Sequence, residues 1–89
     1  MKAFVPLIAK CIRDRGETSV IKFTYTGEDG ISSRRYASPY RFTNAHDEAF
    51  LALDLCDGEL KHFKIDRCSE VVEFPANDVL IPMPMEVLE

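Results

Sequence analysis

The side chains best suited to chemistry are two clusters of basic residues in a protein whose net charge is −4. The clusters are Arg34, Arg35 and Arg41 in one stretch, and Lys61, Lys64 and Arg67 in another. Guanidinium and ammonium groups bind phosphate and carboxylate oxygens through charge-assisted hydrogen bonds. If the two stretches form neighbouring strands, they make a local cationic patch on an acidic protein. Such a patch favours a specific anionic ligand over duplex DNA in general.

Acidic residues are concentrated towards the C-terminal end of the chain. Residues 70–89 contain five acids and no base, which leaves residues 1–69 with eleven bases, ten acids and a net charge of +1. The length of 89 residues suits one small domain. We assign residues 1–74 to that domain and residues 75–89 to an acidic tail that contains prolines and methionines. The tail lacks helical periodicity, so we expect it to lie extended along the domain or to be mobile. One hypothesis is that it covers the basic patch.

The sequence gives little support for catalysis or metal binding. His46, Asp47 and Glu48 are adjacent polar residues in a predicted turn, where they need not converge on one point. A glycine-rich phosphate loop, a zinc-protease motif and a nucleophile elbow are all absent from the sequence. The three cysteines have no paired spacing, so we expect reduced thiols and not a zinc site. We therefore predict no catalytic residue, no metal and no cofactor.

A β-hairpin is predicted at the centre of the chain, over residues 49–68. Asp57-Gly58 separates two apolar-rich runs, and both residues tolerate the positive φ of a tight turn. The first arm, residues 50–55, has Asp54 as its only charged residue and should be largely buried.

The second arm of the hairpin, residues 60–68, alternates between apolar and polar side chains. Alternation places Lys61 and Arg67 on the same side as the apolar pair Phe63 and Ile65, and Lys64 on the opposite side. Such a strand can anchor a core and still present cations at its ends. The alternative is that these bases are ordinary solvated residues at the ends of a strand.

The remaining elements predict a mainly β fold of the α+β class. Residues 4–15 have apolar side chains at helical spacing, whereas residues 19–26 and 31–40 are rich in strand-forming residues. Residues 69–74 predict either a last short strand or a 3₁₀ turn followed by one. A short N-terminal helix followed by four or five short antiparallel strands favours a small, strongly bent sheet that curls into an SH3-like or Sm-like barrel. No apolar run reaches the length of a membrane span, so we expect a cytoplasmic protein without membrane contact.

Several motifs lie along these elements at informative positions. Arg35 precedes Pro39-Tyr40-Arg41-Phe42 by four residues, Ala49-Phe50-Leu51 begins the hairpin, and K-H-F-K-I-D-R runs from Lys61 to Arg67. The order and spacing of these motifs resemble those of the WYL domain, a small Sm-like or SH3-like β-barrel of bacterial and phage regulators. The resemblance covers roughly residues 7–74. Ala49-Phe50-Leu51 stands where that family has Trp-Tyr-Leu, and the segment from Lys61 stands where it has an R-x-F-R-L-D-R-I type strand. Lysine at positions 61 and 64 keeps the charge of the family's arginines but lacks their planar guanidinium group, which can bind a phosphate through two parallel hydrogen bonds.

The resemblance implies a non-catalytic regulatory module for transcription or a related process. Its ligand would be nucleotide-like, such as single-stranded nucleic acid or a signalling nucleotide. The implied ligand-binding residues are the cations Arg35, Arg41, Lys61, Lys64 and Arg67, with Tyr25, Tyr40 or Phe50 as stacking surfaces.

A second hypothesis is a protein-interaction or self-assembly module that uses its strand edges to bind a separate protein or further copies of itself. The two hypotheses differ in the charge that they require around the basic residues. If Asp54, Asp66 and Glu70 neutralise those bases, the ligand hypothesis loses its physical basis.

Overall fold

The computed structural model describes residues 3–43, 48–80 and 82–88. The first element is a helix, α1, from Val5 to Asp14. Pro6 lies in its first turn, where the missing N–H removes no helical hydrogen bond. The chain leaves the helix through Arg15 and Gly16, which have φ values of 57° and 73°. A glycine at this position adopts the left-handed conformation without steric cost, as predicted for the end of this helix.

The strands form a single antiparallel sheet. They are β1 (Ser19–Thr26), β2 (Ser32–Phe42), β3 (Ala49–Asp54), β4 (Leu60–Lys64), β5 (Cys68–Pro75) and β6 (Glu86–Val87). Across the described residues the order is β4-β3-β2-β1-β5, and β6 pairs with β2 as a sixth strand. The mainly β class with one short helix is therefore confirmed. The outer strands β4 and β5 are not paired with each other in the described part of the chain, so the sheet is not closed and the predicted barrel is not confirmed.

Strands β3 and β4 form the predicted hairpin. Phe50 is opposite Phe63, and the turn contains Gly58 with a φ of 78°. The second arm is shorter than the predicted strand over residues 60–68, because β4 ends at Lys64. A 3₁₀ turn, Ile65–Arg67, then connects β4 to β5.

Aromatic side chains form the centre of the main core. Phe23, Phe50 and Phe63 are all buried, and the ring centroids of Phe23 and Phe63 are 5.1 Å apart in an edge-to-face arrangement. Helix α1 contributes Ile8 and Cys11 to the same cluster. This core fixes β1, β3 and β4 relative to one another and thereby positions the polar groups at the ends of these strands.

A smaller apolar cluster joins the tail to the sheet. Met83 is buried against Val20 and Leu55, and the partly buried Val79 packs on the same cluster. The tail also contains a second 3₁₀ turn, Ala76–Asp78, before it reaches β6. In its described residues the tail lies extended along the domain.

Candidate ligand-binding site

Asp54 is the centre of the charge arrangement in this fold. Its side chain is 0 % exposed, and its Oδ2 accepts hydrogen bonds from Nη1 of Arg35 and from Nζ of Lys61, each at 3.0 Å. Its Oδ1 accepts a hydrogen bond from the backbone N–H of Cys56 at 2.8 Å. Both oxygens of this buried carboxylate are therefore satisfied by groups of the chain itself, as buried charges require.

The register of the sheet explains why these three side chains meet. On β3, Asp54 is opposite Ala37 of β2, which is two residues from Arg35. Lys61 of β4 is opposite Ala52 of β3, which is two residues from Asp54. Side chains two residues apart on a strand point to the same face, so all three point to the face that carries the main core. The guanidinium of Arg35 also lies 5.9 Å from the centroid of Phe63.

Lys61 binds a second carboxylate, that of Asp57 in the hairpin turn. Burial by itself would lower the pKa of Lys61, but the hydrogen bonds to Asp57 and Asp54 outweigh that effect and raise it. The hydrogen bond from Lys61, followed by one from the backbone N–H of Glu59, lowers the pKa of Asp57. Lys61 is thus held in its charged form by two anions of its own chain.

Arg35 and Lys61, both implied as ligand contacts by the family resemblance, are thus neutralised within the fold. The residue that sequence reasoning did not place among the site residues is Asp54. A usable signal was its position as the only charge in an otherwise apolar arm, because a buried carboxylate needs cationic partners.

The aromatic residues expected to stack on a ligand take three different positions. Phe50 is 0 % exposed in the main core, so no ligand base can reach its ring without unfolding. Tyr25 is half-buried and packs edge-to-face on Phe63 with ring centroids 5.0 Å apart. Tyr40 is 50 % exposed and lines a groove of 290 Å³ together with Gly16 and Val79. The structure therefore does not bring these rings together around one ligand.

Arg41 is exposed and lies apart from the other implied cations. The pairing of β2 with β3 shifts register between Pro39 and Arg41, and Arg41 is opposite Leu51. Leu51 in turn is opposite the exposed His62 on β4. Arg41 lines none of the described pockets that contain Arg35, Lys64 or Arg67.

Lys64 and Arg67 come together at the end of β4. They line a surface depression of 660 Å³ with Glu48, Ala49 and Asp66. The 3₁₀ turn replaces the two-residue alternation of a strand by a three-residue repeat, so residues 64 and 67 lie on the same side. Strand alternation had placed these two bases on opposite sides, and that prediction was wrong because β4 ends before Ile65.

The end of β1 positions both bases of this depression. The backbone N–H of Lys64 donates to the hydroxyl oxygen of Tyr25 at 3.2 Å, and Nη1 of Arg67 donates to the carbonyl oxygen of Thr26 at 3.3 Å. The backbone N–H of Ile65 donates to the carbonyl oxygen of Glu48 at 2.9 Å, which joins the turn to the segment before β3. Within the described residues, the ion pairs involve neither Lys64 nor Arg67.

Glu70, the third acid expected to neutralise the basic residues, has a different role. Its Oε1 accepts a hydrogen bond from the hydroxyl of Thr24 at 3.1 Å. Glu70 has a φ of 53° and lies where the pairing of β1 with β5 shifts register. Asp66 is exposed and lines the depression, so of the three acids Asp54 is the one that forms ion pairs with the bases.

The tail lies beside Arg34 and Arg35, not over the depression. Glu86 is opposite Arg34 in the pairing of β6 with β2. Met85 and Val87 line a pocket of 210 Å³ with Arg35 and other residues of β1 and β2. The described lining of the depression contains no residue of the tail.

No metal centre is formed by the described side chains, since no three His, Cys, Asp or Glu residues among them converge. His46 and Asp47, which the sequence analysis weighed as acid-base groups, lie outside the described residues. Cys11 and Cys68 are buried free thiols and Cys56 is a partly buried one. Burial raises the pKa of the Cys68 thiol to about 12.

A scan against protein-family models finds no match to this chain, and a search of curated protein sequences finds no relative either. Among the described residues, no helix combines the length and the apolar character needed to cross a membrane.

Proposed function

We propose that this chain is a non-catalytic ligand-binding module of the WYL type, and that it binds a nucleotide or a short single strand of nucleic acid at the Lys64–Arg67 depression. The observation that carries the proposal is the convergence of two cations on one depression of 660 Å³ at the 3₁₀ turn. Arg35 and Lys61 are engaged by Asp54, so they do not belong to the proposed site.

The chemistry of the depression suits a nucleotide better than a simple polyanion. Lys64 and Arg67 supply ammonium and guanidinium donors for phosphate oxygens. The exposed carboxylate of Asp66 is an acceptor for ribose hydroxyls or for the amino groups of a base. The lining therefore offers groups for the sugar and base of a nucleotide or of a short single strand, as well as for its phosphates.

The family assignment within this proposal is supported by where the resembling motifs lie. Arg35 and Pro39 are on β2, Ala49-Phe50-Leu51 begins β3, and the segment from Lys61 covers β4 and the 3₁₀ turn. These are consecutive elements of one sheet that follows an N-terminal helix, as in the Sm-like architecture of WYL domains. We include that architecture in the proposal.

Fluorescence anisotropy with a labelled short single-stranded DNA tests the function. We expect binding that weakens as salt rises, because cation–phosphate contacts release counterions. Lys64→Ala and Arg67→Ala should each weaken binding about tenfold or more, since a charge-assisted hydrogen bond contributes about 1.5–3 kcal/mol. No binding at low salt to DNA or to a labelled nucleotide would overturn the proposal.

A second candidate function, self-assembly, is favoured by the two outer strands. Leu60 on β4 and Val72 on β5 are both exposed apolar residues on strands that have one unpaired edge in the described residues. Unprotected edges of this kind pair with other strands. Light scattering during gel filtration tests this function: assembly predicts a mass that rises with concentration and returns to the monomer value in Val72→Lys. A monomeric mass at all concentrations would contradict it.

A further inference from the structure

The tail packs on the smaller apolar cluster through Met83 and then follows the edge of β2, and these two surfaces together form a groove. We call this the tail groove and define it by Val20, Leu55 and the edge of β2 at residues 32–34. Met83 fills its centre with 7 % of its surface exposed, and the backbone N–H of Met83 donates to the carbonyl oxygen of Leu55 at 2.8 Å. Among the described residues of segment 79–88, Met83 is the most deeply buried, so its thioether side chain is their main apolar anchor.

Strand β6 extends the contact by adding to the edge of β2. Strand β3 pairs with β2 from Ala37 onwards, and β6 pairs with the part of β2 at Ser33 and Arg34. The backbone N–H of Leu88 donates to the carbonyl oxygen of Ser32 at 2.8 Å. Glu86 is directly opposite Arg34, so an acid and a base are cross-strand neighbours. This is the geometry of strand addition to a sheet edge.

Few contacts hold the tail to the domain. β6 has two residues, and Pro82 and Pro84 carry no N–H with which to extend the pairing. Leu80 and Val87 are 74 % and 53 % exposed, so much of the apolar surface of the tail lies in solvent. Segments with few buried contacts open locally at a much lower free energy than the core.

We propose that the tail groove is a peptide-binding site, that residues 79–88 are its resident occupant, and that an extended peptide of the same chemistry from a partner protein replaces them. The resident tail defines that chemistry: an unbranched apolar anchor for the Val20–Leu55 socket, and an acidic residue three positions later to face Arg34. This surface is separate from the Lys64–Arg67 depression, so the proposal goes beyond the proposed ligand function.

The test titrates a fluorescent peptide with the sequence of residues 79–88 into the full-length chain. The resident tail competes with the peptide, so the apparent affinity falls with the fraction of chains whose groove is open. Met83→Ala in the chain weakens the resident tail and should raise the affinity for the peptide at least tenfold. The same substitution in the peptide should abolish binding. Leu80→Ala in the chain is the matched control, because it removes an exposed apolar side chain from the tail, and the affinity should not change.

Two results would contradict exchange of the tail for a peptide at the groove. One is the absence of peptide binding to a Met83→Ala chain that retains the circular dichroism spectrum of the folded protein. The other comes from hydrogen exchange of the wild-type chain, which decides the matter even if the variant fails to fold. We expect the amides of Met83 and Leu88 to exchange at least 100-fold faster than that of Phe23. Equal protection of these three amides from exchange would show that the tail opens no more easily than the core, and would contradict its replacement by a peptide.

Light scattering distinguishes between two possible occupants of the tail groove, a peptide from a partner protein and the tail of a second copy of this chain. We expect the wild-type chain to have the same mass before and after the peptide is added. A dimer that dissociates when the peptide is added would assign the groove to a second copy of this chain, and would overturn its assignment to a partner protein.

Discussion

Arg35 donates a hydrogen bond across 3.0 Å to Asp54, whose carboxylate is fully buried. Lys61 donates to the same oxygen, so one anion holds two cations that come from different strands. Both cations are therefore already paired with a carboxylate of the chain itself. This arrangement also ties β2, β3 and β4 together at the end of the sheet opposite the Lys64–Arg67 depression, since Asp54 and Lys64 are at opposite ends of the β3–β4 hairpin.

Asp54→Asn should destabilise the protein by about 3–5 kcal/mol, because it removes one partner of a buried ion pair and leaves Arg35 without the carboxylate that it binds. Urea unfolding followed by circular dichroism measures this change. Asp57→Asn is the matched control, since Asp57 is exposed and its pair with Lys61 should contribute less than about 1 kcal/mol. An Asp54→Asn variant as stable as Asp57→Asn would contradict the structural role of Asp54.

Asp14 should make the stability depend on pH in acid. It accepts hydrogen bonds from the backbone N–H and hydroxyl of Thr18 and from the backbone N–H of Ser19, and these bonds lower its pKa below 3.8. Because the folded-state pKa is the lower one, the stabilisation is present above about pH 4 and is lost as the pH falls through the folded-state value. The urea midpoint should therefore fall less between pH 5 and about pH 2 in Asp14→Asn than in the wild-type chain. An identical fall in both proteins would show that these bonds do not matter.

Cys56 and Cys68 should differ in their reactivity towards a disulfide reagent at pH 8. Cys68 is buried and its pKa of about 12 leaves almost no thiolate, whereas Cys56 is partly exposed. We expect Cys56 to react first and Cys68 to react only after addition of denaturant, as mass spectrometry of the labelled peptides can show. Rapid labelling of Cys68 in the folded protein would indicate that the core around it opens.

Phe50 and Tyr40 should behave in opposite ways when they are replaced by alanine. Phe50→Ala should cost about 3–5 kcal/mol of stability, because it leaves a cavity among buried rings. Tyr40→Ala should change stability by less than about 1 kcal/mol, since half of its surface is exposed. Thermal unfolding of both variants checks this difference. Similar melting temperatures for the two would contradict the positions of the rings.

Local sequence signals predicted much of the fold. Pro6 and Gly16 predicted the ends of the helix, and Asp57-Gly58 predicted the hairpin, because each of these residues has a strong backbone preference. The class of fold follows from the alternation of apolar residues in the strands. Closure of the sheet does not follow from such signals, since it depends on whether two outer strands meet in space.

The site was less predictable because it depends on contacts between distant segments. The family resemblance grouped Lys61, Lys64 and Arg67, but the 3₁₀ turn after Lys64 separates them into two environments. That turn has no strong sequence signal, since I-D-R also suits a strand. Asp54 lies 19 residues from Arg35 in sequence, and their contact follows from the register of β2 and β3.

The most direct test of the central claim compares two double variants that remove the same charge. Lys64→Ala/Arg67→Ala removes both cations of the depression, and Arg13→Ala/Arg41→Ala removes two exposed cations elsewhere. In anisotropy titrations with the same labelled single strand at one low salt concentration, we predict the loss of binding in the first variant and near wild-type affinity in the second. Equal weakening in both would mean that the DNA responds to overall charge, and would contradict a ligand site at the Lys64–Arg67 depression.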